Sequence, residues 1–176
     1  MEICEMNLNN KNPTITILVG CPGSGKSTYR KSRIAAPENH PVVLSTDDYI
    51  ERKAKENNIP YNKAFTSFFD DAEKYMLANF NTSIQNNENI LVDRTNVTKK
   101  SRRRFLSRIP KHYTKIAIVF ERDLDYLLEI NHTRLDSGRD VPISVIQAMH
   151  EMFSVPTEEE GFNDIIHVNY QANISV

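Results

Sequence analysis

Cysteine is nearly absent from this chain of 176 residues, and the two present, Cys4 and Cys21, exclude a disulfide framework. No CxxC pair occurs, and the five histidines are scattered without zinc spacing, so no sequence signature of a metal cluster exists. A reducing, cytoplasmic setting is the expectation. Long apolar runs are missing as well, which argues against a membrane span, and no secretory leader is apparent at the start. Charge of one sign is not in excess, with 22 Lys and Arg against 23 Asp and Glu. The molecule as a whole therefore has no pull on a polyanion. Repeats, linkers and low-complexity blocks are also lacking. One domain over residues 13–176 is expected, preceded by a polar, asparagine-rich tail over residues 1–12.

The organising stretch is Ile15 to Thr28. Ile15, Ile17, Leu18 and Val19 form a short apolar run of the kind a strand buried on both faces requires, and Gly20 ends it. Gly20-Cys21-Pro22-Gly23-Ser24-Gly25-Lys26-Ser27-Thr28 then carries the G-x-x-x-x-G-K-[ST] spacing. In that pattern backbone N–H groups close around phosphates, the lysine reaches the terminal ones and the Ser27 hydroxyl serves a magnesium ion. A helix predicted from Lys26 to Ile34 would direct its positive end at the same anion. A nucleotide and a magnesium ion (Mg2+) are the implied ligands.

Further along, Val42–Leu44 predicts a second buried strand, followed at once by Thr46, Asp47, Asp48 and Tyr49 at the edge where ligands bind in open α/β sheets. A short exposed helix is expected over Glu51–Asn58 and a long one over Ala64–Ile84, its aromatic stripe read as core. Ile90–Val92 predicts strand three, ending in Asp93-Arg94-Thr95-Asn96. Thr98 is positioned to cap a basic helix over Lys99–Ile109, which Pro110 stops. Ile116–Phe120 predicts strand four, then helices over Leu124–Leu135, interrupted at Ser137-Gly138, and Ser144–Phe153. Ile165–Val168 completes a five-stranded α/β sheet with helices on both faces. Eight Lys and Arg fall between Lys99 and Lys115 with no Asp or Glu among them, a local basic patch.

The phosphate loop, Asp47-Asp48-Tyr49, Asp93-x-Thr95-Asn96, Asn131-x-x-Arg134 and Val141-Pro142 together resemble the 5′-polynucleotide kinase family of P-loop phosphotransferases. The resemblance covers most of Thr14 to Phe153. It implies a P-loop kinase fold with strand order 2-3-1-4-5 and a helical lid, and transfer of the γ-phosphate of ATP to 5′-hydroxyl ends of DNA or RNA. Phage members carry an arginine shortly after Asp-Asp-Tyr. Here Ile50 follows, and Arg52 stands two positions later.

An alcohol attacks phosphorus well only if a base takes its proton, and Asp47 is the candidate, the bland alternative being a helix cap. An acid there favours a hydroxyl acceptor over an anionic phosphate one. Lys26, Arg134 and, second, Arg139 would neutralise charge on the transferring group. Asp93 is the candidate to act with Ser27 at the metal, or else serves structural hydrogen bonding alone. Asp48, Arg52, Asn96, Lys99, Arg102 and Arg103 are assigned to the acceptor side, with Asn96 pinning its loop and the basic helix tracking a strand's phosphates. The loop from Pro156 to Gly161 is read as a wall for adenine. The competing functions are a small-molecule kinase acting on a sugar, antibiotic or nucleoside, and a nucleotide-binding module without transfer. The sequence leaves the oligomeric state open.

Overall fold

The computed structural model describes residues 12–34, 40–135 and 139–168. Apart from Asn12, the expected tail and the interruption at Ser137-Gly138 lie outside them.

Five short strands, β1 (Thr14–Val19), β2 (Val42–Leu44), β3 (Ile90–Val92), β4 (Thr114–Val119) and β5 (Asp164–His167), form one sheet in the order β2-β3-β1-β4-β5. Every pairing is parallel, as the expected topology requires. Helix α1 (Lys26–Ile34) follows β1, and α2 (Thr46–Glu56) and α3 (Tyr61–Gln85) lie between β2 and β3. Then come α4 (Lys99–Leu106) before β4, and α5 (Leu124–His132), α6 (Ile143–Glu151) and a 3-10 turn at Glu158–Glu160 before β5.

Strand alternation divides the core into two layers. Ile15, Ile17, Val19, Ile90, Val92, Ala117 and Val119 pack with Met76 and Phe80 of α3 and Phe105 of α4. Leu18, Leu91, Ile118 and Phe120 form the other layer with Tyr29 of α1. Phe80 and Phe105 meet edge to face with centroids 5.8 Å apart. Each such buried side chain contributes about 1.5–3 kcal/mol relative to exposure. The aromatic stripe of α3 is only partly core. Ala64, Ala72, Met76 and Phe80 are buried, whereas Phe65 and Tyr75 are exposed.

Helix α2 starts five residues earlier than the sequence suggests. Ser45 is extended and its hydroxyl accepts from the Asp48 N–H, so the helix opens at Thr46 and places Asp47 and Asp48 in its first turn. Carboxylates are favoured there by the positive helix end. Thr98 caps α4 as expected, accepting from the Ser101 N–H at 3.1 Å.

Candidate active site

The loop between β1 and α1 is shaped as a phosphate cradle. Gly23 and Gly25 adopt φ of +86° and +104°, a region that favours glycine. A Cβ added to Gly20 would stand 2.5 Å from Ser24 Oγ and 2.9 Å from Phe120, so the approach admits no side chain. The buried Lys26 turns its Nζ back onto the loop, donating to the carbonyls of Gly20 and Cys21 at 2.8 Å each and reaching Ser24 Oγ at 3.4 Å. Among the described residues no backbone carbonyl accepts from the N–H groups of Gly23, Gly25, Lys26 or Ser27. Converging amide donors around a buried ammonium fit a chain of phosphates. Burial pushes the Lys26 ammonium down to about 8, opposed chiefly by Asp93, with Cys21 and Asp47 behind it, while Arg134 adds to the fall. Burial raises the Cys21 thiol.

Ser27 is exposed in the first turn of α1. Among the described residues no three His, Cys, Asp or Glu converge on a metal. A magnesium ion engaged by Ser27 would draw its remaining oxygens from phosphates and water.

Asp93 leaves β3 with its carboxylate largely buried and joined to Arg30, whose Nη1 lies 3.1 Å from Oδ2. Burial raises the Asp93 carboxyl, against Arg30 and Lys26. Arg30 also holds Asp48, donating to Oδ1 at 2.8 Å and pairing with Oδ2. Arg30 thus bridges the first turn of α2 to the end of β3, a role no motif announced.

Asp47 is exposed and accepts from the Tyr61 hydroxyl at 3.0 Å. Its charge acts on Lys26, Asp93 and Arg94. Arg94 approaches Glu73 Oε1 at 2.6 Å, an ionic contact without hydrogen-bond alignment, and Arg104 donates to the other oxygen at 2.6 Å.

In the lid region Arg134 is half-buried and lies close enough to influence Lys26. Arg139 pairs with Glu51 at 2.5 Å. Asn131 secures the segment's return by accepting from the Val141 N–H and donating to the Val141 carbonyl, both at 2.8 Å.

Arg102, expected on the acceptor side, serves the scaffold instead, and Asn96 holds its loop to β1. Arg102 is fully buried, paired with Glu160 at 2.6 and 2.8 Å and donating to the carbonyls of Asn96 and Ser154. It has no surface to offer a strand. Asn96, 3% exposed, donates to the Leu18 carbonyl. Arg52 remains accessible, its guanidinium 5.0 Å from the Tyr49 ring and 5.2 Å from the Tyr75 ring. Lys99 and Arg103 are exposed.

The wall expected at Pro156–Gly161 is otherwise engaged, since Pro156 is buried and Glu160 is held by Arg102. A cleft of about 570 Å³ beside Cys21 is lined instead by the exit of β4, with Arg122 and Tyr126, and by His150 and His167. The Arg122 guanidinium lies 4.3 Å from the Tyr126 ring centroid. The sequence pattern gave these residues no signal beyond their place after a strand.

Sheet order, cradle and outgoing helix together define a P-loop kinase fold. Residues 15–156 match the AAA domain family, and the chain belongs to it. Solved structures with the same fold are diverse. A chain of the Pnkp1/Rnl/Hen1 RNA repair complex is 22% identical with a TM-score of 0.64, over 83% of this chain and 45% of that one. This protein therefore spans under half the length of that relative. A gluconokinase from Sinorhizobium meliloti 1021 is 20% identical with a TM-score of 0.54, over 89% and 82% of the two chains. A shikimate kinase from Acinetobacter baumannii, in complex with shikimate, is 18% identical with a TM-score of 0.57, over 93% and 87%. Among the described residues no helix is long and apolar enough to cross a membrane.

Proposed function

We propose that the protein is an ATP-dependent polynucleotide 5′-hydroxyl kinase, transferring the γ-phosphate of ATP to 5′-hydroxyl ends of DNA or RNA. The observation that carries this reading is the accessible Asp47 carboxylate in the first turn of α2, just beyond the end of β2, whose charge acts on Lys26. A neutral alcohol needs such a group. As the acceptor oxygen bonds to phosphorus and the bond to the ADP leaving group breaks, the hydroxyl proton passes to Asp47. Lys26, Arg134 and Arg139 offset the charge of the transferring group. Magnesium, held by Ser27 with Asp93 behind it, supplies further neutralisation when bound. The base of the nucleotide enters the cleft between Arg122, Tyr126 and His167.

Acceptor identity is supported by cations that begin near Asp47. Arg94 feels that carboxylate, shares Glu73 with Arg104, and leads to the exposed Lys99, Lys100 and Arg103 of α4. Such a stripe suits successive backbone phosphates read without regard to base. The likeness to a chain of an RNA repair complex is in keeping with it. The second reading, a small-molecule kinase, is favoured by the likeness to gluconokinase and shikimate kinase, which this chain matches over most of their length.

Incubation with γ-labelled ATP and a panel of 5′-hydroxyl DNA, 5′-hydroxyl RNA, free nucleosides, gluconate and shikimate separates the two. Label is expected on the oligonucleotide ends. Label confined to a nucleoside or small acid would overturn the polynucleotide assignment.

A further inference from the structure

We propose that Tyr61 is a positioning residue for Asp47: its hydroxyl fixes one carboxylate oxygen, so that the other is presented to the acceptor. The inference rests on reading Asp47 as the base. Asp47 sits in the exposed first turn of α2, where an aspartate carboxylate would otherwise rotate freely. Tyr61 belongs to a different helix and is the first residue of α3. Its hydroxyl donates to Asp47 Oδ1 at 3.0 Å. Among the described residues Oδ2 has no hydrogen-bond partner.

The ring is held independently of this bond. It packs on the cluster of Ile50, Ala64 and Ala72, and the Arg139 guanidinium lies 6.0 Å from its centroid. A phenylalanine would satisfy that packing equally well, so the packing does not account for the hydroxyl, which donates to Asp47. The phenol is also a dependable donor. Burial, then Asp47 and Glu51, push its ionisation far above the usual range, and Arg139 opposes them. Charged groups that feel Asp47 include Lys26 from α1 and Asp93 and Arg94 from the end of β3. Among the described residues none of them hydrogen-bonds to the carboxylate.

The test compares Tyr61→Phe, Asp47→Asn and the double variant in the full chain, reading kcat, ATP KM and thermal midpoint with a 5′-hydroxyl oligonucleotide. Tyr61→Phe is expected to lower kcat about tenfold, the scale of one hydrogen bond to a charged group. ATP KM and thermal midpoint should hold. In the Asp47→Asn background the tyrosine substitution should then change nothing further. Wild-type kcat in Tyr61→Phe beside an inactive Asp47→Asn would overturn the proposal and leave the base assignment standing. The same tenfold loss in both backgrounds, or a loss that tracks a lowered midpoint and weakened ATP binding, would also overturn it. Near-normal turnover in Asp47→Asn would overturn the base assignment itself.

Discussion

The cradle around Lys26 and the proposed acceptor side around Asp47 are assembled by different means. Lys26 is held by carbonyls five and six residues away, and Gly23 and Gly25 shape the loop that carries them. The acceptor side gathers its contacts across the chain. Asp47 meets Tyr61 fourteen residues on, Arg30 reaches Asp93 sixty-three residues on, and Arg139 returns to Glu51. A loop built from near neighbours keeps its geometry wherever the strand and helix around it persist. A surface built from distant segments can be rebuilt one segment at a time, which is how one fold serves unrelated acceptors.

The contrast can be broken most forcefully at Asp47. Asp47→Asn should cost on the order of 10² to 10⁴ in turnover, while ATP binding by calorimetry stays at the wild-type level, because the cradle does not depend on that side chain. Full activity in the variant would remove the acceptor side from the chemistry. Next in size is Arg102→Met, which strands the buried Glu160 carboxylate. A loss of about 3–5 kcal/mol in urea unfolding is expected, with part recovered when Glu160→Gln is added. A neutral result would return Arg102 to the surface.

Lys26 supplies the third test, on the cradle itself. Its ammonium titrates near 8 in the folded chain and at about 10.4 in the unfolded one. Between those values the unfolded chain binds more protons, so the stability of ligand-free protein should rise with pH from about 8 to about 10.4. The total is roughly 3 kcal/mol. Below pH 8 this group contributes no slope. Urea titrations of wild type and Lys26→Met should diverge in that window, and parallel curves would contradict the buried charge. The smallest effect belongs to α4. Changing Lys99 and Arg103 to Gln should raise the oligonucleotide KM a few-fold and flatten the log–log salt dependence by about 1.4, near 0.7 per contact on a single strand. Phosphorylation of nucleosides, if any, should not change.

Legibility in the sequence follows the same division. Five strands and helix α1 were readable because apolar runs and glycine spacing are local signals, and the sheet order follows once the loop class is recognised. The start of α2 differs because Thr46 to Tyr49 read as the segment leaving a strand that ends at Ser45, although serine before two aspartates is also a capping pattern. Arg102 looked like one more cation in a basic run. Its spacing with the buried Phe105, three residues on, marks the inward face of α4. Neither the double duty of Arg30 nor the pairing of Tyr61 with Asp47 had any local trace. The first depends on which strands become neighbours, the second on how α3 folds back against α2.

The exits of β1 and β3 are stitched together beyond the ends of their strands. The Gly20 N–H donates to the Thr95 carbonyl at 2.8 Å, and the Asn96 amide reaches back to Leu18 at the same distance, with Asn96 itself at φ +48°. The two loops consequently behave as a single rigid joint. An insertion or deletion in either would orphan a buried polar group in the other. Diversification should therefore leave the length of this joint untouched and accumulate instead in the helices that approach it from outside.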